Sequence, residues 1–127
     1  EETAELAIQI KQAGAQFVHI SSGGVSPLQK ITLGPEYQVH LAKAVKAASG
    51  LTTIAVGLIT EPAQAEAVLQ RGDADLVALA RSFMYKPRWG WEAAAALGGQ
   101  VQATQQYWRS LPREVTGIFG DAKIGMR

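Results

Sequence analysis

The sequence predicts an α/β protein built on a parallel sheet, and two observations lead to that prediction. Helical and strand-forming segments alternate along the 127 residues in the order α-β-α-β-α-β-α. The strand segments are short, nearly continuous apolar runs, which is typical of strands that are buried on both faces of a parallel sheet. Strands and helices in this order form right-handed βαβ units.

The amino-terminal half of the chain contains two predicted helices and one strand. Apolar residues recur at helical spacing over residues 3–13. A run of strand-forming residues at 17–21 precedes a polar, glycine-rich loop at 22–34. Because proline is favourable in the first turn of a helix, we expect the second helix to begin at Pro35 and to end near Gly50.

The carboxy-terminal half continues the alternation. An apolar strand is predicted at 52–56, and a helix with Pro62 in its first turn follows it. The third strand is predicted at 76–80, before helical segments at 91–97 and around 105–108. The chain thus contains three predicted strands.

Two architectures contain such βα units: a doubly wound sheet and a (β/α)8 barrel. The first strand-to-helix turn lacks a G-x-G-x-x-G pattern, which argues against a dinucleotide-binding Rossmann half. Three strands cannot close an eight-stranded barrel, so in a barrel these would be the last strands and about five would be missing. The chain starts with Glu1 inside a helical pattern, and we therefore expect it to be part of a longer protein.

Composition excludes several classes of partner. Twelve Lys and Arg against eleven Asp and Glu provide no basic surface for nucleic acid. No apolar run approaches the roughly 18 residues that a membrane span requires. The absence of cysteine excludes disulfides and agrees with a cytoplasmic location, which we expect. His19 and His40 lie too far apart for a metal motif, and we expect no metal site.

The ends of the second and third strands carry the strongest chemical signal. Gly57 and Leu58 follow one strand, and Ala80 and Arg81 follow the other. Small residues let an oxyanion approach backbone N–H groups, and an arginine adds a planar charged fork suited to phosphate. The spacing therefore favours a phosphate site; the structural alternative is that Gly57 only forms a turn and that Arg81 pairs with a carboxylate.

Two further segments have both a functional and a purely structural interpretation. Ser22 follows the first strand in a Ser-Ser-Gly-Gly block, which either faces a binding site or is an ordinary polar loop. Near the carboxyl terminus, Trp108 and Arg109 follow Gln106 and Tyr107. This block either covers a flat ligand or reaches a neighbouring subunit, or else it is a packed helix with a solvated arginine.

Six blocks, in this order, resemble the NADH:flavin oxidoreductase / old yellow enzyme family, and above all its bacterial ene-reductase and xenobiotic-reductase branch. They cover nearly the whole chain and are Val18–Gly24, Gly34–Val39, Ala55–Thr60, Ala74–Arg81, Lys86–Pro87 and Gln106–Arg109. The resemblance implies that residues 1–127 are the carboxy-terminal part, about strands 6–8, of a single FMN-binding (β/α)8 TIM-barrel domain.

The resemblance also implies a cofactor and a set of contacts. The phosphate of FMN would lie against Gly57, Leu58, Ala80 and Arg81, with Ser22 as a further cofactor-binding residue. The family usually has glycine where this chain has Ala80, which puts the backbone contact there in question. The family's catalytic histidines and tyrosine lie earlier in the barrel, so none is expected in this segment.

For the whole enzyme, the resemblance implies that NADPH or NADH reduces FMN, which then reduces an activated C=C bond of a small-molecule substrate. Arg109, with Trp108 beside it, would reach the active site of a partner subunit, so that the tail at 103–127 lies at the interface of a homo-oligomer. The alternatives are another FMN- or phosphate-binding TIM-barrel enzyme, or a half-barrel fragment without activity of its own.

Overall fold

A computed structural model describes residues 2–120 of the chain. Contacts divide these residues into two compact units, the first of residues 2–60 and 64–80 and the second of residues 61–63 and 81–120. Along the described residues, the helices and strands are α1 (Glu2–Gln12), β1 (Phe17–Ile20), α2 (Val39–Ser49), β2 (Thr52–Ala55), α3 (Pro62–Gln70), β3 (Leu76–Val77), α4 (Arg81–Tyr85), α5 (Trp89–Leu97) and a 3₁₀ helix (Gln105–Ser110).

The first unit contains a three-stranded parallel sheet in the order β1-β2-β3. This confirms the α/β fold and the parallel strands in sequence order. Helix α2 packs against both β1 and β2, and α1 packs against α2. The fully buried Thr53 and Val68 lie in this core.

The second helix begins later than the sequence predicted. Residues 35–38 form a turn, and α2 begins only at Val39. The reason is the backbone of Glu36, whose φ of 60° is left-handed and cannot belong to an α-helix. The predicted end is correct, since Gly50 adopts a φ of 62° and its N–H donates to Lys46 O.

Two further boundaries differ from the prediction. Strand β3 covers only Leu76–Val77, although Ala78 N–H still donates to Ala55 O at 2.7 Å and extends the pairing by one bond. The short helix α4 lies in a stretch for which the sequence predicted no element. Within residues 2–120, no helix combines the length and the apolar character needed to cross a membrane.

Candidate functional site

The carboxyl ends of the strands meet at one edge of the sheet, as parallel pairing requires. The last paired residues are Ile20 with Ala55 on β1 and β2, and Ala55 with Val77 on β2 and β3. Ser22 and Gly57 each follow this common row by two residues, and Ala80 follows it by three. The predicted cofactor-binding residues of the first unit therefore come after the same edge, which we call the carboxyl edge.

The turn after β2 is strained and is held by one glutamine. Gly57 has a φ of 127° and Leu58 a φ of 51°. A left-handed conformation costs a residue other than glycine about 1–2 kcal/mol. Gln64 on α3 stabilises the turn, because its Nε2 donates to Leu58 O at 3.1 Å and its Oε1 accepts from Thr60 N–H at 2.9 Å. Such strain clusters at functional sites and supports a functional role for this turn.

Ser22 presents an unpaired hydroxyl next to that turn. Its backbone N–H donates to Gln38 Oε1, and its backbone oxygen accepts from Gln29 Nε2 at 2.7 Å. Its Oγ is buried and has no hydrogen-bond partner within the described part of the chain. Because buried polar groups are nearly always paired, an unpaired hydroxyl at this edge fits a ligand that accepts hydrogen bonds.

Gly57 occupies a position where a side chain would be crowded. A Cβ atom there would lie 3.1 Å from Tyr37 Cδ1 and 3.2 Å from both the backbone N and the Nε2 of Gln38. Together with its φ of 127°, this crowding explains why the position is glycine.

Ala80 and Arg81 come after β3. The φ of Ala80 is not positive, so its methyl group imposes no backbone strain. Arg81 is the first residue of α4 and belongs to the second unit. It is exposed to solvent.

The opposite, amino edge of the sheet is held by charges. Asp75 accepts a hydrogen bond from Thr53 N–H at 2.9 Å and lies 2.8 Å from Lys46 Nζ. The Lys46 ammonium, and after it the Thr53 N–H, hold the pKa of Asp75 below its usual value. Hydrogen bonds from Arg71 and then Lys43 likewise lower the pKa of the buried Asp73. These carboxylates hold elements of the fold together.

The second unit orders the carboxy-terminal segment around Arg88. The guanidinium carbon of Arg88 lies 4.4 Å from the ring centre of Trp91 and 4.3 Å from that of Tyr107. Its Nη1 also donates to Ser110 Oγ at 3.1 Å. Tyr107 therefore packs within its own chain, as the structural interpretation of this block expected.

Trp108 and Arg109 lie on the same 3₁₀ helix. Trp108 is half-buried and its Nε1 donates to Ala103 O at 2.9 Å, whereas Arg109 is exposed. Their contribution to a partner's active site stays a prediction. The predicted interface tail at 103–127 also includes residues 121–127, which lie outside the described residues.

Sequence reasoning did not identify three residues that organise these regions. Gln38 lies within one of the blocks that carry the family resemblance, but no pattern marks a buried amide. Gln64 is one of several glutamines on its helix and neighbouring segments, so the sequence does not single it out. Arg88 lies one residue before Trp89 and three before Trp91, a spacing that offered a signal for cation–π contact at helical i, i+3 positions.

Comparison with known proteins shows that most of the chain matches one family model. Residues 2–98 match the model of the NADH:flavin oxidoreductase / NADH oxidase family. Proteins named NADPH dehydrogenase are similar: those of Geobacillus sp. (strain WCH70) and Geobacillus thermodenitrificans (strain NG80-2) are 43% and 44% identical over 103 and 101 residues. That of Halalkalibacterium halodurans is 42% identical over 105 residues.

These alignments cover 81%, 80% and 83% of this chain but only 30%, 29% and 31% of the three relatives. The matching chain thus spans a little under a third of the length of each relative.

Proposed function

Because the chain belongs to the NADH:flavin oxidoreductase / NADH oxidase family, we propose that it binds the phosphate group of FMN at the carboxyl edge of its sheet. It does so as the carboxy-terminal part, about strands 6–8, of a (β/α)8 barrel. In barrels of this kind, a phosphate site after the last two strands recurs. The complete enzyme is an NAD(P)H oxidoreductase of the ene-reductase type.

The observation that carries this proposal is the buried Ser22 hydroxyl without a partner. A phosphate oxygen accepts the hydrogen bond that this hydroxyl lacks, and charge-assisted bonds of this kind are stronger than neutral ones. The turn after β2 contributes the backbone of Gly57 and Leu58, and the absence of a Cβ at Gly57 keeps that turn compact. Ala80 contributes its backbone in the same way after β3.

Arg81 supplies the positive charge of the proposed site. It follows Ala80 directly along the chain, and a guanidinium presents paired N–H groups that match two phosphate oxygens. The chain has no other arginine within five residues of Ala80. We therefore assign the largest single contribution to phosphate affinity to this side chain.

The residues of this segment bind and orient a cofactor, and the reacting groups of the complete enzyme lie elsewhere. Bound FMN supplies hydride-transfer chemistry between NADPH or NADH and an activated C=C bond of a small substrate. NADPH is favoured because the relatives are named NADPH dehydrogenases. Arg109 and Trp108 complete the active site of a partner subunit in a homo-oligomer.

The test is FMN titration of the complete protein that carries this chain. Arg81→Ala should weaken FMN binding by about 1.5–3 kcal/mol, the scale of a hydrogen bond to a charged group. Ser22→Ala should weaken it by about 1.5 kcal/mol, the lower end of the same scale. Arg113→Ala, a matched control at another exposed arginine, should leave the affinity unchanged.

Flavin fluorescence reports the affinity, and visible absorbance of the purified protein reports bound cofactor. If Arg81→Ala binds FMN as tightly as the wild type, its role at the phosphate is wrong. A colourless wild-type protein that also fails to bind added FMN would refute the proposed function as a whole.

A further inference from the structure

Gln38 is a buried amide that touches the ends of two neighbouring strands. Its Oε1 accepts the Ser22 N–H after β1, and its Nε2 lies 3.2 Å from the place that a Gly57 Cβ would occupy after β2. The residue is only 5% exposed. One side chain therefore connects the two segments to which we assign cofactor contacts.

The Gln38 side chain does not cap α2, although it stands at the position from which a side chain could do so. Gln38 is the residue that precedes the first turn of α2, and residues in this place commonly bond the free N–H groups of their own helix. Gln38 makes no such side-chain bond. Burying an amide is unfavourable unless it is hydrogen-bonded, so the contact of Gln38 with Ser22 has to offset that cost.

Backbone strain lies on both sides of Gln38. Glu36, two residues before it, and Leu58, which follows Gly57, are the non-glycine residues with positive φ in the described part of the chain. Arg71 pairs with the side chain of the first of these, since its Nη2 lies 2.6 Å from Glu36 Oε2. Strain at these two loops indicates that the fold holds the Gln38 amide in one particular place.

We propose that Gln38 is a positioning residue that makes the carboxyl edge prefer FMN to riboflavin. By occupying the backbone N–H of Ser22, it leaves the serine hydroxyl as the group that remains for a ligand. By packing against Gly57, it keeps the neighbouring turn in its strained form. The phosphate is the part that distinguishes FMN from riboflavin, and this inference rests on the proposed function.

The experiment compares the affinities for FMN and riboflavin in the complete protein that carries this chain. Gln38→Met keeps the length of the side chain and removes its hydrogen-bonding groups. It should lower the ratio of FMN to riboflavin affinity about tenfold, which corresponds to the loss of about one hydrogen bond. Riboflavin affinity should stay within about twofold of the wild-type value, on the same scale.

Two further variants keep the result interpretable. Gln38→Asn keeps an amide but shortens the side chain by one methylene, so that its oxygen no longer reaches Ser22 N–H, and it should lower the same ratio. It decides the question if Gln38→Met does not fold. Gln70→Met makes the same change on α3, at an exposed glutamine whose Nε2 bonds Glu66 Oε1 at 2.6 Å, and should leave the ratio unchanged.

The outcomes separate this inference from the proposed function. If the wild type prefers FMN and both Gln38 variants keep that preference, or lose affinity for the two flavins equally, the positioning role is wrong and the phosphate site stands. If the wild type binds the two flavins equally, the proposed function itself is wrong, and this inference is overturned with it.

Discussion

Replacement of Gly57 by alanine perturbs the turn after β2 in two ways. The backbone there has a φ of 127°, which L-residues with a Cβ rarely adopt. The new methyl group would also lie 3.1 Å from Tyr37 Cδ1 and 3.2 Å from Gln38 N. Since Gln38 N is a backbone atom at the start of α2, it cannot move away without shifting the helix.

The expected loss of stability combines these two effects. A residue held in a sparsely populated backbone conformation costs about 1–3 kcal/mol. Forcing a methyl group into a packed environment costs about 1–3 kcal/mol more. We therefore expect Gly57→Ala to lower the free energy of unfolding by about 4 kcal/mol, near the upper end of single-substitution effects.

Gly14→Ala is the matched control. Gly14 also has a positive φ, of 102°, but a Cβ there would meet no atom within 4 Å. It should lose only the conformational part, about 1–3 kcal/mol. Urea unfolding of the complete protein at fixed pH measures both variants, and FMN titration should show weaker binding for Gly57→Ala alone.

Two outcomes for Gly57→Ala would contradict this reasoning. If Gly57→Ala is no less stable than Gly14→Ala, the contacts with Tyr37 and Gln38 impose no steric constraint, and the packing argument is wrong. If Gly57→Ala is destabilised but binds FMN normally, the turn is structural and its assignment to the phosphate site is refuted.

Three other predictions concern the amino edge, the Arg88 cluster and the tail. Asp75→Asn should lower the free energy of unfolding at pH 7 by about 1 kcal/mol, a value discounted because the carboxylate is 37% exposed. Because the fold lowers the pKa of Asp75, its stabilisation is complete above about pH 4 and is lost as the pH falls through the lower folded value. Urea unfolding from pH 7 to pH 3 measures the difference between wild type and variant, and a difference that grows on acidification would contradict the assignment. Arg88→Ala, compared with Arg88→Lys, should speed amide exchange at Gln105–Ser110 about tenfold, because the cation–π contact with the Tyr107 ring is lost; equal exchange would show that this contact does not order the segment. Arg109→Ala should impair turnover in the complete enzyme while FMN stays bound, and full activity of the purified variant would refute its role in a partner's site.

Much of the fold could be predicted from the sequence because it follows from local patterns. Apolar runs at 17–21 and 52–56 predicted parallel strands, and each lies within one or two residues of the observed strand. Gly50 predicted the end of α2 because glycine readily adopts the left-handed conformation. The family blocks predicted the residues at the carboxyl edge because they follow the strand ends directly.

Tertiary structure decided what depends on contacts between distant segments. Pro35 favoured an early start of α2, but the left-handed Glu36, which pairs with Arg71 from the end of α3, delays the helix to Val39. The bond between Ser22 and Gln38 joins residues 16 positions apart, and no periodicity encodes such a pairing. The contact of Arg88 with the Tyr107 ring, 19 positions further along the chain, has the same origin.

The sequence by itself therefore determined the three strands and their parallel order, together with most of the helices. Only the tertiary structure decided that the backbone groups of Ser22 are paired while its hydroxyl has no partner within the described residues, because those partners come from a loop and from the start of a helix. Hydrogen-bond satisfaction is a property of the folded environment, where each buried group takes the partner that packing brings within reach.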